Sequence, residues 1–276
     1  MIKNVKEEML HVENWDDFYV VADFDRTITN GNSKTSWSIL ATSDLVPPQY
    51  TAERNALYEK YRPIEIDPNM PLEEKSAKVK EWFQLHIELF IKYGIKEELF
   101  DKAATDLRIM EFRPGAVDFL KFLHERRVPV IIISAGLGNF IECFLKNNDC
   151  LFDNIYISSN KITFTNGIAT GVSGDIIHSL NKNEVSLPES IKAQLSDRNQ
   201  VLLLGDQPSD LAMVDEKKHS RVLKVAFVAI DSWDEEHTST FEDFDLVLEP
   251  GEDYWDMMSI IDKEKKYEKN NDKKIK

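Results

Sequence analysis

The chain has no hydrophobic run long enough to cross a bilayer. Its longest apolar stretch, Val128 to Ile133 and slightly beyond, falls far short of the roughly 20 residues that a spanning helix needs. Cysteine is scarce: Cys143 and Cys150 are the only two. That excludes a disulfide framework, and neither stands in a metal-ligand spacing. Reduced packing residues in a cytoplasmic protein are expected. Met1 to Asp17 is charged and holds no apolar signal core. Positive charge is in deficit, with 34 Lys and Arg against 49 Asp and Glu and a net charge of −15. Phosphate backbones select basic faces, so no nucleic-acid partner is expected. The charge serves solubility. No internal repeat is present. These absences leave a cytoplasmic protein with no membrane partner, expected as a monomer or weak homodimer.

What is there fits a globular protein. The 276 residues are 42% apolar and 30% charged, enough for a large core and unlike a disordered chain. Short β-branched runs predict parallel core strands at Phe18 to Ala22, Val128 to Ser134, Val201 to Leu204 and Leu223 to Val228, with a fifth at Phe244 to Leu248. Helices are predicted between them, from Pro114 to about Arg127 and from Asn139 to Asn147. This alternation predicts a doubly wound α/β sheet.

Leu45 to Leu107 breaks the alternation. It offers two helical stretches, Thr51 to Tyr61 and Leu72 to Tyr93, the second with Val79, Trp82, Phe83, Leu89 and Phe90 on one stripe. Pro63, Pro68 and Pro71 punctuate the link between them. The predicted division is a core of residues 1–44 and 108–276 with a helical cap, 45–107, inserted after the first strand motif. A hairpin is predicted over Asn154 to Val172 with its turn at Asn166-Gly167. Beyond Ile261 the chain is Lys-rich and reads as frayed helix or disorder.

The predicted strand ends carry chemistry. Asp23 and Asp25 follow the first strand, and buried carboxylates need compensation from a metal, a proton or hydrogen bonds. Carboxyl ends of parallel strands are where ligands bind. Asp23 is a candidate nucleophile at phosphorus, Asp25 a candidate proton donor and acceptor, and Thr27 a candidate for holding the turn. Ser134-Ala135-Gly136-Leu137-Gly138 follows the second strand and can present a hydroxyl and backbone N–H groups to a phosphate. Asp206, after Val201 to Leu204, is a candidate ligand for a hard cation such as Mg²⁺. Asp210 is expected to orient waters or Lys182. Lys182 falls between these motifs and would neutralise a transferring phosphoryl group.

From Asp23 to Leu248 the chain resembles the haloacid-dehalogenase superfamily, and more closely the pyrimidine 5′-nucleotidase family. The resemblance rests on Asp23-Phe24-Asp25-Arg26-Thr27-Ile28-Thr29, Ile64-Glu65-Ile66-Asp67-Pro68, Glu73-Glu74-Lys75, Glu81-Trp82, the Ser134 to Gly138 run, Gly174-Asp175-Ile176-Ile177-His178 with Asn181-Lys182, and Leu203-Leu204-Gly205-Asp206 with Asp210. It implies a Rossmann-like core with a helical cap. It implies Mg²⁺ held by Asp23, the Asp25 carbonyl and Asp206, and phosphate held by Ser134, the Ala135 and Gly136 amides, and Lys182. It also implies a base pocket built from Glu65, with Trp82 and Phe83 beside it. The family's Thr-Lys-Ser-His run is Gln84-Leu85-His86-Ile87 here, so His86 replaces a serine that shapes the base site. The function implied is a Mg²⁺-dependent phosphomonoesterase acting on a nucleoside monophosphate, most simply a pyrimidine one. Alternative readings are a phosphatase for another small phosphate ester, a nucleoside phosphotransferase, and a non-catalytic phosphate-binding protein.

Overall fold

A computed structural model of the chain describes residues 1–105, 110–183, 187, 189–229 and 238–262. Its centre is a sheet of eight strands: β1 (Ile2–Lys3), β2 (Phe18–Ala22), β3 (Val130–Leu137), β4 (Ile155–Thr165), β5 (Ile168–Ser173), β6 (Gln200–Gly205), β7 (Arg221–Phe227) and β8 (Leu246–Leu248). The spatial order is β1-β8-β7-β6-β2-β3-β4-β5. From β8 to β4 the neighbours run parallel, while β1 and β5 add antiparallel edges. Central β2 shows why the strands read as continuous apolar runs. Phe18, Val20 and Ala22 pack into one core, and Tyr19 and Val21 into the core on the other face. Both faces are covered, so alternation is lost.

Helices join the strands: α1 (Pro48–Ile66), α2 (Leu72–Lys92), α3 (Glu98–Ala104), α4 (Ala116–Glu125), α5 (Gly138–Asn147), α6 (Glu189–Gln194) and α7 (Tyr254–Ile261). The first three lie in sequence between β2 and β3. Tyr61 stacks on Trp82 and Tyr50 on Phe90, so α1 and α2 pack antiparallel. The predicted apolar stripe of α2 is buried as expected, with His86 and Ile87 added to it.

Some boundaries differ from the sequence reading, each for a local reason. α1 runs on through Pro63 to Ile66, so Pro63 lies in its last turns and not in the link. β3 starts at Val130, because the Val128 N–H closes α4 by donating to the Leu123 carbonyl at 2.9 Å. β4 is one long strand whose first half pairs with β3 and whose second half pairs with β5. The hairpin turn is at Asn166-Gly167, with φ of +52° and +74°, as a two-residue turn of the primed type demands. Cys143 and Cys150 are free. No described helix is long and apolar enough to cross a membrane. From residue 263 onward the Lys-rich segment lies outside the described residues.

Candidate active site

Three adjacent strands in the middle of the sheet, β6, β2 and β3, end side by side. Asp206 follows β6, Asp23 follows β2, and Ser134 lies near the end of β3. The pairing of β3 with β4 slips between Ile133 and Leu137, which frees the Ser134-Ala135-Gly136 backbone from the ladder. Order along the chain thus becomes proximity in space. Asp23, Asp25, Ser134, Ala135, Gly136, Lys182, Asp206 and Asp210 all line one cavity of about 200 Å³.

Lys182 sits at the centre. Its ammonium donates to Asp23 Oδ1 at 2.6 Å and to Asp210 Oδ1 at 3.1 Å, and all three residues are buried. Burial alone would lower the Lys182 pKa, but Asp210 and then Asp23 overcome it and hold the group charged. Both Asp210 oxygens are engaged: Oδ2 accepts from the Asp206 and Gln207 amides, each at 3.1 Å. Asp210 therefore anchors Lys182 and the turn after β6. Gly205 is required there, since a Cβ on it would lie 2.6 Å from Asp210 Cβ.

Asp23 is bound on one oxygen only. Its other oxygen accepts no hydrogen bond among the described residues. Burial, only partly offset by Lys182, raises its pKa well above the usual carboxylate range. Asp206 is pushed up to about 7 by burial and by Asp210. Carboxylate oxygens of Asp23, Asp206 and Asp210 all lie within 4.8 Å of one another. One ammonium thus faces three buried carboxylates, a deficit of positive charge that a divalent, oxygen-seeking cation would fit.

Asp25 is held apart from this group. The chain turns sharply after Asp23, with Arg26 at φ +67°. The Arg26 N–H donates to Thr29 Oγ1 at 2.7 Å. Arg113 clamps the Arg26 and Thr27 carbonyls. Thr29 and Arg113 hold the turn, while the Thr27 hydroxyl has no hydrogen-bond partner among the described residues. Asp25 then accepts from the Ser36 N–H and from Ser36 Oγ, each at 2.9 Å. Burial raises its pKa, and the Ser36 bonds oppose that rise. Gly136 packs against this pair, where a Cβ would meet Ser36 Oγ at 2.3 Å.

The far wall comes from α1 and α2. Glu65, Trp82, Phe83 and His86 line the same cavity. Glu65 Oε1 accepts from Ser179 Oγ at 2.7 Å, and its Oε2 pairs with Arg62. The Trp82 indole N–H donates to His86 Nε2 at 3.1 Å. His86 is buried and depressed to about 3, by desolvation first and by Arg54 second, so it is neutral. Sequence reasoning missed Ser36, Trp37, Arg54, Tyr58 and Arg62, which also line or support the cavity. The signal for three of them was there: Arg54, Tyr58, Arg62 and Glu65 follow i, i+4, i+8, i+11 spacing. It reads as a stripe only once α1 extends past Pro63.

The sequence pattern of the pyrimidine 5′-nucleotidase (UMPH-1) family matches residues 22–264. The chain is 31% identical over 245 residues to the 7-methylguanosine phosphate-specific 5′-nucleotidase of Homo sapiens, covering 86% of this chain and 81% of that protein. It is 31% identical over 238 residues to the Drosophila melanogaster protein of the same name, covering 83% and 74%. The crystal structure of cytosolic 5′-nucleotidase IIIB bound to cytidine matches with a TM-score of 0.80 at 28% identity, over 92% of this chain and 89% of that one. A phospho-aspartyl intermediate analogue of phosphoserine phosphatase shares the fold, with a TM-score of 0.56 at 20% identity over 89% and 98%. The chain belongs to the pyrimidine 5′-nucleotidase family and is a hydrolase acting on phosphate monoesters.

Proposed function

We propose that the protein is a cytoplasmic, Mg²⁺-dependent nucleoside 5′-monophosphatase that works through a phosphorylated Asp23. One observation carries the reading: a single cavity is lined both by the Asp23, Lys182, Asp206 cluster and by Glu65 with the α2 aromatic rings. In this reading residues 45–107 act as a cap that supplies the base pocket, and 1–44 with 108–276 form the core.

Asp23 and Asp206, with the Asp25 carbonyl, would hold the cation. When bound, Mg²⁺ neutralises phosphoryl charge and brings the phosphate toward the anionic cluster. The unengaged oxygen of Asp23 attacks phosphorus, and the phosphorus–ester oxygen bond breaks. Asp25, with its pKa raised, gives its proton to the leaving 5′-oxygen. Ser134, the Ala135 and Gly136 amides and Lys182 hold the phosphoryl oxygens. Water then attacks the aspartyl phosphate, Asp25 takes a water proton, and inorganic phosphate leaves with Asp23 restored.

For the base, the family's description and the cytidine-bound neighbour support a pyrimidine. The human and Drosophila relatives support 7-methylguanine as a second reading. Phosphate release from CMP, UMP, 7-methyl-GMP, AMP, GMP, a sugar phosphate and phosphoserine, with Mg²⁺ and with EDTA, tests the proposal. Mg²⁺-dependent turnover of nucleoside monophosphates is expected. Turnover of the non-nucleotides alone, or nucleotide turnover that persists in EDTA, contradicts it.

A further inference from the structure

Arg54 is an arginine that the proposed chemistry does not use. It projects from α1, is 9% exposed, and lines the cavity. A guanidinium has five N–H donors. Here Nη2 donates to Ser38 Oγ at 2.6 Å and Nη1 to Asn55 Oδ1 at 3.2 Å. The Nε–H is buried with no partner among the described residues. Among the described residues no carboxylate pairs with Arg54, and the Tyr58 ring lies 5.4 Å from its guanidinium carbon.

A buried cation without a counter-charge or filled donors is costly. Two other cations of the cavity contrast with it: Lys182 pairs with Asp23 and Asp210, and Arg62 with Glu65. Trp82 has spent its N–H on His86, and His86 is neutral. Glu65, further along the same helix face, is an acceptor and suits a base N–H or amino group. The wall thus presents a donor at Arg54 and an acceptor at Glu65.

We infer that Arg54 is a specificity-determining residue that binds a carbonyl oxygen of the nucleobase, so that carbonyl-bearing bases are favoured over adenine. This rests on the proposed reading of the cavity as a base site. Uracil, cytosine and 7-methylguanine each carry a carbonyl oxygen beside N–H or amino groups. Adenine carries amino and ring nitrogens and no carbonyl, so it leaves the cation without its strongest acceptor. Buried hydrogen bonds to a charged group discriminate by about 10- to 100-fold.

The test is kcat/KM for CMP, UMP, 7-methyl-GMP and AMP with the wild type, Arg54→Met and Arg54→Lys. The wild-type preference for its best carbonyl-bearing substrate over AMP should fall about 10- to 100-fold in Arg54→Met, mainly through KM, with Arg54→Lys in between. Equal losses on AMP and on the carbonyl-bearing substrate mark Arg54 as a structural support and overturn the inference; an unchanged ratio overturns it too. A wild type that hydrolyses phosphoserine or a sugar phosphate but no nucleotide overturns the base-site reading, and this inference with it. Should Arg54→Met fail to fold, a wild-type crystal structure with cytidine decides. Arg54 within hydrogen-bond reach of the base carbonyl supports the inference, and a base carbonyl turned away from Arg54 overturns it.

Discussion

Asp23 and Asp25 are two residues apart and have different neighbours; in the proposed mechanism the first is the nucleophile and the second the acid and base. Asp23 faces Lys182 at 2.6 Å, which opposes the rise that burial imposes on its pKa and so works toward the carboxylate that a nucleophile must be. Asp25 faces Ser36 and no lysine at hydrogen-bond range; burial raises its pKa, as it does for Asp23, and the two Ser36 bonds oppose that rise. Asp25→Asn should therefore lower kcat about 10²- to 10⁴-fold with little change in melting temperature. A loss below tenfold would reassign the proton transfer. In the proposed reading Asp206 holds the cation. Mg²⁺ at 100 times its dissociation constant should stabilise the wild type by about 2.7 kcal/mol, read as a rise in melting temperature over EDTA. Asp206→Asn should lose most of that rise, and by relieving repulsion with Asp210 it should melt higher than the wild type in EDTA.

At the scale of elements, α1 and α2 pack by their aromatic rings, and their buried polar side chains set their sensitivity to pH. His86 titrates at about 6.5 in an unfolded chain but at about 3 in this fold. Between those values the unfolded chain binds a proton that the folded one refuses. The contribution of His86 to stability is therefore full above about pH 6.5 and is lost as pH falls toward 3, at up to about 1.4 kcal/mol per pH unit. His86→Gln keeps an acceptor for Trp82 and cannot titrate. Urea unfolding from pH 7 to 4 should show a shallower loss in the variant than in the wild type; parallel curves would contradict the burial argument. Pro63 makes a separate point about α1. It lacks the N–H that the Glu59 carbonyl would accept in a regular helix. Pro63→Ala should stabilise the fold by about 1–3 kcal/mol in the same assay.

For the whole molecule, the sheet and the catalytic cluster were legible because local pattern decided them. Phe18 to Ala22 and Val201 to Leu204 could only be buried strands, and the acidic residues after each had to share one sheet end. Lys182 was legible only by its place in the chain, since a lone lysine on a loop carries no local signal. The separate roles of Asp23 and Asp25 were readable from their positions, but the Ser36 partner of Asp25 was not. Ser36 lies eleven residues on, in a segment without helical or strand period, and only the fold brings it to the carboxylate. Arg54 was hidden for another reason: Pro63 reads as a helix stop, so the stripe from Arg54 to Glu65 appeared broken. Long-range pairs such as Ser179 with Glu65, 114 residues apart, follow from tertiary packing, which spacing along a chain does not encode.

The central claim is that Asp23 carries the phosphoryl group. Acid-quenched protein, mixed for milliseconds with Mg²⁺ and its best nucleotide substrate and then mapped by peptide mass spectrometry, addresses it directly. The account predicts one added phosphoryl group on the peptide that contains Asp23, and neither adduct nor turnover in Asp23→Asn. Undiminished turnover in Asp23→Asn, or a phosphoryl group on any other residue, would contradict it.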